Sequence, residues 1–369
     1  MKPIGINNED TNLFCINFTR WKQNHIRSFL TSGEGLTFIS SADQAIKKGF
    51  ISSDKLITWA SKDQSEVDKL IKEFGISPWY VEDGFIRSTG LGTDLTAPAS
   101  LVLDKTGIYY DPNKPCDLET ILQTKSYKDI ELVRAEALKN SMLENELSKY
   151  NLGGEFKKSS LKNVKANQKI ILIPGQVEDD ASIKKGCIYI NTNAALIKAV
   201  RDDSPDAYLI YKPHPDVVSG NRKGKVDKQT LEEFCDLVLL DASITDCLSV
   251  VDEVHTMTSL VGFEALMRDL KVVCYGLPFY SNWGLTEDRH ILERRTRKLT
   301  INELVAATLI DYPLYINWQT GHFTTPEVIV KQLKEQIDKQ GGKRNNQVFW
   351  LIRVLRKIKN FSKGVLSLR

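Results

Sequence analysis

KIILIPGQVEDDAS, Lys169–Ser182, decides how the chain is read. Four consecutive aliphatic residues, Ile170–Ile173, run into Pro174-Gly175 and then into three acids, Glu178, Asp179 and Asp180. The apolar run reads as a strand and Pro-Gly as its end. Acids directly after such a strand have two readings. One is a solvated loop that caps the next helix, with Asp180 or Ser182 as N-cap. The other is a carboxylate presented into a cleft as nucleophile or base.

Downstream, the pattern continues with strands at Ala207–Tyr211, Leu237–Leu240, Glu253–Met257 and Lys271–Tyr275. Helices fit Thr192–Arg201, Leu260–Met267 and Ile301–Leu309. Upstream, Phe14–Phe18, Gly35–Ser40, Lys55–Ala60 and Trp79–Glu82 read as strands. Trp21–Leu30, Ala42–Lys48, Glu66–Phe74 and a long stretch from Asp129 to Lys149 read as helices. Strand–helix alternation predicts parallel sheets with helices on their faces. Asn151–Gln168 turns polar and rich in Gly, Lys and Ser, as a linker does. The expected division is 1–150, a linker over 151–168, 169–340, and a tail over 341–369. Two α/β halves facing each other imply a cleft. In open α/β sheets ligands bind outside the carboxyl ends of strands, so motifs at those ends carry the most weight.

Composition agrees. The 369 residues are 41% hydrophobic and 26% charged, which excludes disorder and collagen-like architecture. No stretch reaches the roughly 18 apolar residues of a spanning helix, and Met1–Phe14 lacks an apolar signal-peptide core. A cytoplasmic protein is expected. The six cysteines and five histidines are scattered without metal-ligand spacing, which argues against a disulfide framework or a zinc site. Net charge is +3, yet the tail holds eight basic residues and no acid, leaving −5 for the rest. That argues against a nucleic-acid-binding body and for an anionic partner at the tail.

Three further strand ends carry motifs. Glu82-Asp83-Gly84-Phe85-Ile86-Arg87-Ser88 is either a polar site or a turn with an Arg–carboxylate pair. Lys212-Pro213-His214-Pro215-Asp216 fixes a Lys/His pair between two prolines, which suits phosphate or carboxylate. Thr258 and Ser259 fall at the N-cap of a helix whose free N–H groups suit phosphate. There Gly262 reads as close approach or as a packing contact, and Glu264 as a holder of a ribose diol.

Together with PASLVLDKTGIYYD (Pro98–Asp111), LSKYNL (Leu147–Leu152), KPHPDVVSGNRKG (Lys212–Gly224) and YGLPFYSNWGLTEDR (Tyr275–Arg289), these segments resemble the capsule polysaccharide biosynthesis family typified by KpsC. The resemblance runs from about Asp54 to Phe323. It implies a GT-B-like α/β fold, two Rossmann-type domains facing a cleft, with the acceptor side in the first and the CMP-sugar site in the second. It implies retaining β-Kdo transfer from CMP-Kdo to a lipid-linked Kdo or glycan acceptor, with no cofactor and no metal. By the same resemblance Asp180 is the nucleophile, and Gln176, Ser182, Lys212, His214, Thr258, Ser259, Gly262 and Glu264 hold the donor. His214 also serves catalysis beside the leaving phosphate. Glu82 or Asp83 activates the acceptor hydroxyl, and Arg87 and Lys223 meet the sugar carboxylate or acceptor. The alternatives are a transferase for another CMP-activated ulosonic acid and an inactive scaffold among other capsule-assembly proteins.

In the tail, Phe349, Ile352 and Leu355 share one helical face while Arg353, Arg356 and Lys357 lean towards another. This predicts a basic amphipathic helix lying peripherally on the cytoplasmic face of the inner membrane. A helix docked on the body is the competing reading.

Overall fold

A computed structural model describes residues 12–30, 35–88, 97–147 and 156–339. The tail helix expected over 341–369 and residues Thr89–Gly92 of the EDGFIRSTGLG motif lie outside the described residues.

The first half builds β1 (Leu13–Ile16), α1 (Arg20–Leu30), β2 (Leu36–Ile39), α2 (Ala42–Lys47), β3 (Lys55–Trp59), α3 (Ser65–Phe74), β4 (Trp79–Asp83) and β5 (Ser100–Asp104). Two helices follow, α4 (Asp117–Thr124) and α5 (Asp129–Glu144). Strands β2, β1, β3 and β4 are parallel neighbours, and β5 runs antiparallel to β4 with Glu82 opposite Val102. Alternate residues of β1 point to opposite faces. Leu13 and Cys15 pack with Ile57 and Val81, whereas Phe14 and Ile16 pack with Ala45 and Leu70.

The second half continues with β6 (Ile170–Pro174), α6 (Ala181–Gly186), α7 (Asn193–Asp203), β7 (Tyr208–Lys212), α8 (Pro215–Val218), α9 (Lys228–Phe234), β8 (Leu237–Val238), α10 (Ile244–Leu248), β9 (Glu253–Thr256), α11 (Leu260–Leu266), β10 (Lys271–Cys274) and β11 (Glu287–Asp288). These strands form a parallel sheet in the order β11-β10-β9-β6-β7-β8. The unbroken Ile170–Ile173 run follows from burial on both faces. Ile170 and Leu172 join one core, and Ile171 and Ile173 join the other. Chain order reverses between β6 and β9, so their carboxyl ends splay apart and leave a crevice.

The expected unit over 169–340 needs correction. After α12 (Ile301–Val305) and a π-helical turn over Ala306–Asp311, the chain crosses back to the first sheet. There β12 (Pro313–Asn317) pairs antiparallel with β5, Leu314 opposite Leu101, and β13 (His322–Phe323) pairs with β12. A bare β5 edge would leave a row of N–H and C=O groups unpaired, and β12 covers it. Helix α13 (Pro326–Lys339) then buries Ile329, Val330 and Leu333. The part of the expected linker that is described is docked on the body: Phe156, Leu161 and Val164 pack on the core, and Phe156 N–H donates to Asp246 at 3.0 Å.

Buried charge ties the halves together. Glu119, on α4, accepts from Arg295 Nε at 2.9 Å and also pairs with Arg294. Arg295 in turn donates to the carbonyls of Pro278 and Ser281. Removing one partner of such a pair strands the other charge in the interior. Glu119→Ala should therefore lower stability by about 3–5 kcal/mol, read by urea unfolding. A loss below about 1 kcal/mol, the range of exposed pairs, would show that the pair does not hold the halves.

Candidate active site

A cleft of about 400 Å³ opens between the halves at the carboxyl ends of their strands. The second half contributes the segments after β6, β7 and β9, and the first contributes Ser61, Glu82, Asp83, Phe85, Tyr109 and Tyr110.

Gln176 frames it from below. Its Oε1 accepts from the Thr258 amide at 3.0 Å and the Thr256 hydroxyl at 3.3 Å, and its Nε2 donates to Thr258 Oγ1 at 3.0 Å. Its backbone pairs twice with the Asn193 side chain, which also reaches the Gly224 carbonyl. Three of the four hydrogen-bonding positions of the Gln176 amide thus serve the protein. Gln176 is foremost a positioning residue that locks the β6 and β9 ends together, with one N–H left for a ligand. Asn193, fully buried, was missed by sequence reasoning. A polar residue in the first turn of a helix looks like any solvated one.

The three acids after β6 separate. Glu178 turns inward and accepts from the Asn193 amide at 2.7 Å. Asp179 pairs with Arg222 at 3.1 Å. Asp180 lines the cleft, its side chain about half exposed, with Arg222 at 3.8 Å. It is also the N-cap of α6, and Ser182 Oγ donates to its Oδ2 at 2.9 Å. Asp180 thus caps α6, as the capping reading has it, and its carboxylate also lines the cleft.

His214 caps α8 with its imidazole, Nδ1 accepting from the Asp216 amide at 3.1 Å. An accepting Nδ1 leaves the proton on Nε2. Burial lowers the His214 pKa and keeps the ring neutral. Lys212 is lowered likewise by burial, and it makes no ion pair among the described residues. Its ammonium lines the cleft wall, with Asp241 as a nearby attractive charge.

At the β9 end Ser259 caps α11, accepting from Val261 N–H at 3.2 Å. Glu264 is buried and lines the cleft. Gly262 does not line it. A Cβ there would fall 2.2 Å from the Tyr280 hydroxyl oxygen, so this glycine makes room for Tyr280, which donates to the Ser259 carbonyl. The packing reading holds and the donor-contact reading is corrected.

From the first half, Glu82 and Asp83 reach the cleft, but Arg87 does not. It is 2% exposed and points back, with Nε 2.9 Å from Asp83 and Nη1 donating to Ser88. The reason is local: Phe85–Ser88 folds inward along β5, with Ala99 N–H on the Arg87 carbonyl. Lys223 is likewise displaced. It is exposed and offers only its carbonyl to Glu178 N–H, while its neighbour Arg222 lines the cleft. Burial, then the charge of Asp83, raises the Glu82 pKa, and Lys22 opposes them. Glu82 and Tyr110 line the cleft wall, where a Ser61 hydrogen bond also acts on Glu82, and the Tyr110 hydroxyl is buried without a hydrogen-bond partner among the described residues. Among the described residues no group of three or more His, Cys, Asp or Glu is arranged to hold a metal ion, and no helix is long and apolar enough to cross a membrane.

Residues 54–315 match the family described as capsule polysaccharide biosynthesis protein. The capsule polysaccharide modification protein LipA of Neisseria meningitidis serogroup B is 41% identical over 335 residues, which cover 90% of this chain and 47% of LipA. The lipopolysaccharide-processing protein LpsZ of Rhizobium meliloti is 41% identical over 72% of this chain and 60% of its own length. The chain thus spans about half the length of the curated relatives it matches. Among solved structures, the beta Kdo 2,7 transferase of Thermosulfurimonas dismutans KpsC is 36% identical with a TM-score of 0.71, covering 88% of this chain and 99% of that one. The beta Kdo 2,4 transferase of the same KpsC is 28% identical with a TM-score of 0.75, over 89% and 99%.

Gly262→Ala separates packing from ligand contact. Overpacking against Tyr280 should cost about 1–3 kcal/mol of stability, read by thermal or urea unfolding. Unchanged stability with weakened CMP binding by calorimetry would return Gly262 to the ligand.

Proposed function

The chain belongs to the capsule polysaccharide biosynthesis protein family and has its GT-B-like pair of α/β units, and from that premise we propose that it transfers Kdo from CMP-Kdo, with retention, to a glycan acceptor. One observation carries the reading. A single cleft holds a presented carboxylate, Asp180, together with Lys212, which makes no ion pair among the described residues, and the His214 imidazole, whose Nδ1 accepts from the Asp216 amide. This is the set that a double displacement on an anionic, phosphate-activated sugar needs.

In the first displacement Asp180 attacks the anomeric carbon as the bond to the CMP phosphate oxygen breaks. Lys212 and the His214 Nε2–H stabilise the charge that develops on the departing phosphate, so no strong acid is required. Arg222 and Ser182 hold the Asp180 carboxylate in place. In the second displacement the acceptor hydroxyl attacks the same carbon, its proton passes to Glu82, and Asp180 leaves. Two inversions give net retention, the logic of retaining glycosidases. A raised pKa makes Glu82 a stronger base than an ordinary glutamate. Asp83, held in an ion pair by Arg87, is less suited.

Asp180→Ala should lower transfer by at least about three decades, as removal of a covalent nucleophile does, while calorimetry still records CMP binding. Mass spectrometry of a stalled wild-type reaction should find a Kdo-sized adduct on Asp180. Full turnover by the variant would overturn the assignment.

The pH profile tests Glu82. The raised pKa keeps Glu82 protonated where other carboxyls are ionised, so activity should climb as pH rises through a value above the usual carboxylate range. Glu82→Gln should remove that limb from the pH dependence of kcat/KM and slow transfer more than donor hydrolysis. A limb that persists in the variant belongs to another group.

A further inference from the structure

Glu82 and Asp83 stand side by side at the end of β4, Glu82 withdrawn from water. Adjacent carboxylates in such a place disfavour each other's ionised form, and a cation near each offsets this. Asp83 has Arg87, with Nε 2.9 Å from its Oδ2. The cation that acts on Glu82 comes from another element, the first turn of α1.

Chain order in the first sheet reverses between β1 and β3. The start of α1, which follows β1, and the loop after β3 therefore flank the same strand ends. Lys22, on α1, sets its Nζ 2.9 Å from the centre of the Trp59 ring. Trp59 is buried at the end of β3, opposite Val81 of β4, and Phe18 meets it edge-on at 5.8 Å. An indole face attracts an ammonium and leaves its charge in place. The same indole donates from Nε1 to Ser61 Oγ at 3.1 Å, and Ser61 hydrogen-bonds Glu82. One ring thus fixes both the cation and the hydroxyl that act on the base. The loop is held in turn by Gln64, whose Nε2 donates to the carbonyls of Trp59 and Lys62, and by Asn17, which donates to Thr58 Oγ1 and the Asp63 carbonyl.

The charges around this pair come from four segments. Asp83 on β4, Lys22 on α1 and Tyr110 after β5 face Glu82. Glu82 and Asp83 attract Lys22, while Lys62 after β3 and Arg87 repel it. His25, one turn further along α1, brings no charge at neutral pH, because burial and then Arg87 lower its pKa to about 4. Burial lowers that of Lys22 to about 8, so its ammonium persists at neutral pH.

We infer that Lys22, seated on the Trp59 ring, is a positioning residue whose ammonium is the counter-charge of Glu82 and lets this buried carboxylate ionise and take the acceptor proton. The inference rests on the transferase reading above and deepens it by naming what makes its base usable.

Titration of Glu82 tests the pairing without substrate. The full chain is labelled at its glutamate side-chain carboxyl carbons for NMR, and Glu82→Gln assigns the signal. In Lys22→Met the Glu82 midpoint should rise by about one pH unit or more, the effect of losing a nearby opposite charge. Lys22→Arg keeps a charge that stacks on an indole and should hold the midpoint near its wild-type value. In transfer assays the rising limb of kcat/KM should move to higher pH in Lys22→Met, with activity about tenfold lower on the acid side for each unit. Its alkaline plateau should be retained, and Lys22→Arg should restore the limb. Methionine keeps the length and apolar stem of lysine, and thermal unfolding checks that each variant is folded. An unmoved Glu82 midpoint in Lys22→Met, or a limb that Lys22→Arg moves as far as Lys22→Met does, would overturn the inference. CMP-Kdo cleavage is assayed separately. Its absence in the wild type would overturn the transferase reading, and the Glu82 titration would still decide the pairing.

Discussion

The Glu119–Arg295 pair is the constraint on which the cleft depends. It joins α4 of the first half to the turn that holds Pro278 and Phe279 against the site. Taking both charges out of water is costly, and their attraction offsets that cost only because Arg295 also satisfies the Pro278 and Ser281 carbonyls. The aromatic cluster completes the joint. Phe279 packs on Phe85 at 4.9 Å and Tyr109 at 5.8 Å, ring to ring across the two halves. With β12 covering β5 and Tyr312 donating to the buried Asp104 at 2.8 Å, the chain is anchored to the first sheet twice. The distance across the cleft is thus set by packing and not by a flexible tether.

Inside that frame the polar residues divide into those that serve the protein and those left for a ligand. Gln176, Asn193 and Glu178 spend their hydrogen bonds on one another and on the strand ends. Asp180 and His214 each spend one acceptor on capping a helix and, with Lys212, line the cleft. The division has a physical basis: a buried amide bonded to groups on two strand ends cannot reorganise, so the groups beside it are held in one geometry before any ligand arrives. Both sheets place their order reversals towards the space between the halves, which is why the site lies at loops after β6, β7 and β9 on one side and after β3 and β4 on the other.

Much of this was legible in the residues. Periodicity found most of the first-half strands and the six-stranded sheet to within a residue or two, except that Leu237–Leu240 shrank to Leu237–Val238 and the Glu287–Asp288 strand was not read. It missed β5 because Ser100–Asp104 is a fully buried strand inside a motif read for its chemistry. The strand-end rule located Asp180, Lys212, His214 and Ser259 correctly in the cleft wall. It failed for Arg87, Lys223 and Gly262, because proximity in sequence to a site does not fix the direction of a side chain.

What the sequence by itself determined, then, was local: which residues form strands, where those strands end, and which motifs stand at the ends. Alternation and turn residues act over a few positions, so a short window contains them. Only the tertiary structure decided which of Glu178, Asp179 and Asp180 would face the cleft, that Arg87 would turn to Asp83, and that residues 313–323 would complete the first sheet. Each of those outcomes is a competition among partners far apart in the chain. The winner is set by which buried polar group or open sheet edge would otherwise go unpaired, and that is a property of the packed molecule.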